Sequence, residues 1–476
     1  MIENKLLTQL IFWGVWLVIP MMWEIIGAAG AATVIALKYA RGRWVSFRGT
    51  KRRAADSVSA ADNFYPTVSI IVPVFNSEDT LETCLQSIVE QEYLLDKLEV
   101  LLVDNGSSDG SRAVFQRFQS EYGELRLWWH TSEQGKSRAL NMGVFSGTGR
   151  YVVNIDSDGR LDRFAIANIV QRFEENDRIV AMSGVVLTDV EQITANHATV
   201  HERILKLVRQ CELFEYCESF LVGRSFQSIF NKLNTMAGAF SCFKREALIK
   251  TQLYNTETMG EDAHMTSQVR EFSGGRVELC ENAFYFTQPL ENLDKLYTQR
   301  QRWQRAELEV AGLFSENHLG NIFTFLKKPD MRRLVSSHTL AFPRLIWLFA
   351  MLYLYFINYP LELLVGANAL LYASYIVLGF LNISVSCLYL GNQRKVRSYL
   401  LRHMYICLVL PFYRFMLYWI RMAGIINSLT TPSKWRTRTF TEEVDGARRE
   451  AGKVVRRRFG FMYILKRMIN GQTNDI

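Results

Sequence analysis

Apolar positions along the chain fall into two dense stretches with a mixed region between them. Residues 6–37 are apolar apart from Gln9 and Glu24, and a second stretch runs from about 338 to 427. The first exceeds the roughly 20 residues that a spanning helix requires. It is too long for the core of a cleavable signal and lacks a basic leader, so it reads as an uncleaved anchor. In the second stretch, 338–358 and 361–389 read as spans separated by Asn358-Tyr359-Pro360. Pro411, Arg414 and Arg421 interrupt 403–427, which reads as an interfacial or re-entrant element.

The mixed region has a different rhythm. Val68–Val74, Leu98–Val103 and Tyr151–Ile155 are short β-rich apolar runs, and a helical pattern lies near 78–91. Buried strands alternating with helices predict an α/β domain whose sheet is covered on both faces. Ligands of such sheets bind at the carboxyl ends of the strands, where the polar clusters of this chain fall.

Charge orients this plan. The net charge of +8 is carried by clusters beside the apolar stretches: Lys38 to Arg53, Arg394 to Arg397, and Arg448 to Arg458. That placement fits the positive-inside rule and attraction to anionic lipid. No interleaving of aromatic and basic residues marks a nucleic-acid module, so nucleic acid is not an expected partner. The chain divides into an anchor (1–40), a basic juxtamembrane linker (41–63), a cytoplasmic catalytic domain (64–310), an interfacial region (311–337), transmembrane or interfacial helices (338–430) and a basic cytoplasmic tail (431–476). Seven cysteines (Cys84, Cys211, Cys217, Cys242, Cys280, Cys387 and Cys407) form no C-x-x-C or zinc spacing and read as free buried thiols.

Four polar clusters carry candidate chemistry. Asp104 opens Asp-Asn-Gly-Ser after a strand, where a carboxylate can accept from a base N–H or a ribose hydroxyl. Asp156 and Asp158 stand two apart beyond another strand and can share a hard divalent cation. In Gly260-Glu261-Asp262 one carboxylate can cap a helix while the other enters a cleft as a base. Gln299-Arg300-Gln301-Arg302-Trp303 offers a planar guanidinium for a diphosphate and an indole face for a sugar. Taken singly, each has a plainer reading as a polar turn, an Asx turn, a capped helix or an amphipathic helix.

Together and in this order the clusters resemble the family 2 glycosyltransferases, in particular the processive membrane synthases of cellulose, chitin, hyaluronan and poly-N-acetylglucosamine. Val72-Pro73-Val74-Phe75-Asn76 and Gly135-Lys136-Ser137-Arg138-Ala139-Leu140-Asn141 complete the resemblance, which covers about 64–310. It implies a GT-A fold, a Rossmann-like nucleotide-sugar-binding domain, here flanked by transmembrane helices. It also implies inverting transfer from a nucleotide-sugar, expected to be a UDP-sugar, with Mg2+ or Mn2+ as cofactor. Phe75, Asn76, Asp104, Lys136 and Asp156 would bind the donor, and Asp158 with Asp156 the metal. Asp262 would be the general base, and Gln299, Arg302 and Trp303 would bind the diphosphate and the acceptor's terminal sugar. Trp435 and Arg438 resemble a Trp-x-x-Arg gating loop, for which interfacial anchoring is the plainer reading.

The sequence departs from the family pattern at Gly260, where Thr is usual, at Ser77, where several synthases carry Glu, and at Ala306, where many relatives carry Gly. The layout also resembles the bacterial exosortase-associated subgroup. Expected partners are a glycan or lipid-linked acceptor, membrane lipids and polysaccharide-export proteins, at a bacterial cell membrane crossed several times. A transferase adding one sugar to a lipid-linked acceptor, and an inactive assembly scaffold, are the alternatives.

Overall fold

The computed structural model describes residues 25–53, 65–193, 199–315, 341–430 and 441–442, with side chains of 42–53, 311–315, 341–347 and 428–430 left aside. Most of the expected anchor (residues 1–24), most of the 311–337 region, and Trp435 and Arg438 lie outside these residues.

In chain order the elements are α1 (Gly27–Arg53), β1 (Val68–Val74), α2 (Leu81–Val89), β2 (Leu98–Asp104), α3 (Ser111–Glu121), β3 (Arg126–Thr131), α4 (Lys136–Ser146), β4 (Tyr151–Ile155) and β5 (Gly159–Leu161). There follow α5 (Ala165–Glu175), β6 (Ile179–Thr188), α6 (Val190–Ile193), α7 (Val200–Tyr216), a π-helical turn (Cys217–Gly223) and α8 (Arg224–Ile229). The remainder comprises β7 (Phe240–Lys244), α9 (Arg245–Leu248), α10 (Glu261–Ser273), β8 (Arg276–Thr287), α11 (Leu293–Ser315), α12 (Ala341–Phe356), α13 (Leu361–Tyr389), α14 (Arg394–Arg402) and α15 (Ile406–Thr430).

The eight strands form one mixed sheet in the order β3-β2-β1-β4-β7-β6-β8-β5. β3, β2, β1 and β4 are parallel, and β7 runs antiparallel between β4 and β6. The expected strands are all present. β1 and β4 are buried at every position, which explains why their sequences are unbroken apolar runs rather than alternating ones.

Alternate side chains serve opposite faces. Val68, Ile70, Val72 and Val74 pack with Leu81, Leu85 and Ile88 of α2, whereas Ile71 packs with Ala139, Leu140 and Val144 of α4. A Cβ added at Gly143 would lie 2.4 Å from Ile71 Cγ2, so glycine there sets how closely α4 approaches β1. The chain leaves β1 toward β2 on one side and returns to β4 on the other. The crevice at this reversal is where a doubly wound sheet binds ligands.

A third apolar cluster joins the sheet domain to the C-terminal helices. Val208, Cys211 and Leu213 of α7 pack with Ile383 and Cys387 of α13, Leu400 of α14, and Ile406, Leu410 and Leu417 of α15. Ala32 and Ile35 of α1 meet Val222 and Val385. Among the described residues two helical segments are long and apolar enough to cross a membrane: Leu361–Tyr389 with mean hydropathy 1.8, and Ile406–Asn427 with 1.3. The span expected at 338–358 is described only as the 16 residues of α12. The 403–427 segment, expected to be interfacial or re-entrant, contains one continuous helix, α15, with Pro411 inside it. All seven cysteines are buried and free, as expected.

Candidate active site

The crevice is built from turns that follow strands. After β1, Asn76 adopts a left-handed backbone (φ 47°), which Asn tolerates better than bulkier side chains. Its Oδ1 accepts from Ser108 N at 2.8 Å, and its own N–H donates to Ser107 Oγ at 3.0 Å. After β2, Asp104 Oδ1 accepts from Ser107 N at 2.9 Å, closing an Asx turn through Gly106. Glu78 N donates to Asp109 Oδ2, and Gly110 N donates to Glu78 Oε2, each at 2.9 Å. The two loops thus brace each other, and Phe75 stays 45% exposed at their edge. A flat apolar ring beside a fixed carboxylate suits a planar base.

The turn after β4 carries Asp156 and Asp158. Tyr285 of β8 donates its hydroxyl to the Asp156 carbonyl at 2.7 Å and reaches Asp158 Oδ1 at 3.4 Å. Ser77 and Ser157 share a hydrogen bond of 2.7 Å that ties this turn to the one after β1. Lys136 opens α4 after Gly135, whose φ of 136° favours glycine. Its Nζ lies 2.5 Å from Asp156 Oδ1 and 4.0 Å from Glu261 Oε1, and donates to Gly238 O at 3.3 Å. Burial alone would lower the Lys136 pKa. Asp156, Glu261 and Asp262 around it outweigh burial and hold it well above the ordinary range.

Glu261 and Asp262 begin α10. Asp262 Oδ1 accepts from Ala263 N at 2.7 Å, and an added Cβ at Gly238 would sit 3.4 Å from its Oδ2. Glu261 is 8% exposed. Burial, then the adjacent Asp262 charge, push its carboxyl up to about 7 despite the opposing pull of Lys136. Asp158 remains open to solvent by its own surface. The protein packed around it, and then the Asp156 charge, still push its carboxyl above the usual range. His264 is buried, with Nδ1 2.8 Å from Gln268 Nε2, a structural arrangement.

The Gln299–Trp303 motif lies on α11. Arg302 contributes to the field at Glu261, and Trp303 is 38% exposed. Gln299 Oε1 is buried without a hydrogen-bond partner. The approach of α11 to α10 explains one departure from the family pattern. A Cβ at Gly260 would meet Ala306 Cβ at 2.9 Å and Ala306 O at 3.1 Å, so glycine at 260 makes room for alanine at 306.

Arg300, which the sequence gives no distinct role, is 3% exposed and forked onto Glu215 of α7 at 2.6 and 3.2 Å. Its guanidinium lies 4.4 Å from the centre of the Trp303 ring and 5.8 Å from that of Tyr216. Tyr413 Oη and Arg421 Nη2 of α15 reach Glu215 at 3.3 and 3.7 Å. Phe220 of the π-helical turn meets Trp303 edge-on at 5.9 Å. A sequence signal for this network is the pair Glu212 and Glu215 among the apolar residues Cys211, Leu213, Phe214 and Tyr216 that close α7.

The structure therefore brings Lys136, Asp156, Asp158, Glu261 and Asp262 to one crevice, with the Asp104 and Phe75–Asn76 turns beside it. Among the described residues no three His, Cys, Asp or Glu side chains converge as a metal cage. Asp156 and Asp158 do fit part of one: both are hard oxygen donors on one turn. A Mg2+-like ion commonly uses one or two carboxylates with phosphate oxygens and water.

Residues 69–251 match the model of the glycosyl transferase family 2. Curated relatives include the poly-beta-1,6-N-acetyl-D-glucosamine synthases of Staphylococcus epidermidis and of Staphylococcus aureus (strain MSSA476). Each is 23% identical over 243 residues, covering 51% of this chain and 55% of the relative. The chain thus spans about half the length of the curated relatives it matches. Among solved structures, the mannosyltransferase PcManGT from Pyrobaculum calidifontis, in complex with GDP-Man and Mn2+, aligns at 18% identity with a TM-score of 0.46, over 84% of this chain and 99% of that one. Staphylococcus aureus TarS 1–349 with UDP-GlcNAc aligns at 15% identity and 0.35, over 71% and 92%. The match gives residues 69–251, which hold Phe75, Asn76, Asp104, Lys136, Asp156 and Asp158, as a glycosyl transferase family 2 domain.

Proposed function

We propose that the chain is a membrane polysaccharide synthase of GT-A fold that extends a glycan from a UDP-sugar by inverting, metal-dependent displacement. The observation that carries this reading is the charged crevice itself: Lys136 between Asp156 and Glu261, with Asp158 and Asp262 beside it, at the reversal of the sheet. Phe75, Asn76 and Asp104 bind the base and ribose. Lys136 and Arg302 meet the negative charge of the diphosphate. A divalent ion held by Asp158 and Asp156 would supply charge neutralisation for the departing nucleoside diphosphate.

Asp262 takes the proton of an acceptor hydroxyl, whose oxygen forms the new bond to the anomeric carbon. The bond from that carbon to the phosphate oxygen breaks, and its electron pair leaves with the diphosphate. Attack opposite the leaving group inverts the anomeric centre. Trp303, half-open beside Phe220 and backed by Arg300, offers the acceptor sugar an apolar face.

The segments Leu361–Tyr389 and Ile406–Asn427 are read as membrane spans, with the crevice on the cytoplasmic side where the Lys38–Arg53 and Arg394–Arg397 clusters lie. α15, which contains the second span, packs on α11: a Cβ at Gly424 would lie 3.4 Å from Gln301 Cα. The acceptor side of the crevice is therefore built against a segment read as a span. A second reading, transfer of one sugar to a lipid-linked acceptor, is favoured by the small number of such spans among the described residues. Sizing the product made by the detergent-purified chain from radiolabelled UDP-sugars separates the two, with UDP-N-acetylglucosamine as the first donor to try. Long polymer supports the synthase reading, and products one sugar longer than the acceptor overturn it.

A further inference from the structure

The helix α14 joins the two long apolar helices, and its sides differ in chemistry. Val396, Tyr399 and Leu400 are buried, and Tyr399 Oη accepts from Gln210 Nε2 of α7 at 3.0 Å. On the adjoining arc, Arg394, Ser398 and Arg402 succeed one another at intervals of four, one above the next on a helix, with Lys395 beside them. These side chains, with Tyr399, face Val190 and Glu191 of α6 across a cleft of about 400 Å3, within the ~300–1,000 Å3 range of ligand sites. Lys395 is ion-paired with Glu191. Arg394 and Arg402 have no carboxylate partner among the described residues.

Three basic side chains against the single carboxylate of Glu191, which pairs with Lys395, leave the cleft net positive and suited to an anion, and the planar donor fork of arginine matches a phosphate. The position of the cleft selects among phosphates. It lies where α13 ends and α15 begins, and Leu401, Tyr405 and Leu408 beside it are 51%, 53% and 47% exposed. A free phosphate would satisfy the arginines alone. A phospholipid satisfies the arginines with its headgroup and the neighbouring apolar surface with its acyl chains.

We infer that this cleft binds the phosphate headgroup of an anionic phospholipid, gripped by Arg394 and Arg402, with Ser398 donating to a phosphate oxygen. The inference rests on reading Leu361–Tyr389 and Ile406–Asn427 as membrane spans. The bound lipid would fix the depth of α14 at the cytoplasmic surface. Through Gln210 it would also steady α7, the helix whose Glu215 anchors Arg300.

The test uses the full chain in detergent, offered equimolar phosphatidylglycerol and phosphatidylcholine of identical acyl chains, with retained lipid counted by native mass spectrometry. The wild-type chain should retain phosphatidylglycerol preferentially, and Arg394→Gln with Arg402→Gln should cut that preference by roughly tenfold or more, since each charge near the surface contributes separately. Both side chains are exposed, so folding is not at stake. Arg397→Gln removes one charge from the same helix but outside the cleft and should leave the preference intact, whereas Arg394→Gln or Arg402→Gln alone, each also removing one charge, should lower it. An equal loss in Arg397→Gln would show diffuse attraction and overturn the site. Displacement of the lipid by millimolar inorganic phosphate would mark a soluble-phosphate site and overturn the lipid assignment. Carbonate extraction of cell membranes keeps the two levels apart. A chain released by carbonate would refute the spans, whereas a retained chain without headgroup preference would refute only the cleft.

Discussion

Replacing Arg300 by Met should damage both stability and acceptor use, and the structure sets the scale. Arg300 and Glu215 side chains are 2% and 9% exposed, and they meet at 2.6 Å. Removing one member of a buried pair typically costs about 3–5 kcal/mol, because the other charge stays buried without compensation. Here Arg421 Nη2, 3.7 Å from Glu215, and the Tyr413 hydroxyl supply partial relief, so the lower end of that range is expected. Trp303 would also lose a guanidinium 4.4 Å from its ring centre, an interaction worth roughly 0.5–2 kcal/mol. In detergent, the apparent melting temperature of Arg300→Met should fall by several degrees. The double variant Arg300→Met, Glu215→Gln should recover most of the loss, because neither charge is then stranded. The KM for acceptor should rise more than that for donor, since Trp303 and not Lys136 has lost its support. Equal melting temperatures for the wild type and Arg300→Met would refute the buried-pair argument. A double variant less stable than the single one would do the same.

Three further outcomes follow from other parts of the site. Glu212 is 3% exposed, with Oε2 unpartnered, and burial pushes its carboxyl up to about 6 from 4.5. A carboxyl whose folded pKa is raised stabilises the fold below the unfolded pKa and loses that contribution as pH rises through the folded one. Wild-type stability should therefore drop between about pH 4.5 and 6, by up to ~2 kcal/mol, and Glu212→Gln should flatten that segment of a melting-temperature profile. Asp158→Ala should weaken donor binding in the presence of Mn2+, read by calorimetry with and without the ion. Binding that ignores the ion in both proteins would remove Asp158 from the metal site. Gly260→Thr forces a Cβ within 2.9 Å of Ala306 Cβ and should cut turnover and stability by about 1–3 kcal/mol of overpacking. Ala306→Gly should restore part of both, and an innocuous Gly260→Thr would show that α10 and α11 are not in close contact.

What the sequence reveals here depends on whether the physics is local. β1, β2 and β4 are legible because strands buried on both faces need continuous apolar runs, and Asp104 and Asp156 are legible because they stop those runs. The sheet order beyond β4 is not legible, since β7 is antiparallel between β4 and β6 through pairings that no local pattern encodes. Glu215 and Arg300 are separated by 85 positions, and only the folded chain shows that each buried charge has the other as partner. The same holds for α15, where Arg414 and Arg421 look like interruptions of an apolar run. In the structure Arg414 is paired with Glu218, and Arg421 reaches Glu215, so the helix continues through both. Gly260 and Ala306 look like two unrelated departures from the family pattern until the fold sets Ala306 where a side chain at 260 would stand.

The central claim is that the crevice transfers a sugar with Asp262 as the base. Its most direct measurement compares the wild type with Asp262→Asn, scoring radiolabel incorporated from a UDP-sugar alongside calorimetric binding of that donor. The account predicts that incorporation falls by about 10²–10⁴-fold while donor affinity stays near the wild-type value. Undiminished incorporation in Asp262→Asn would contradict it.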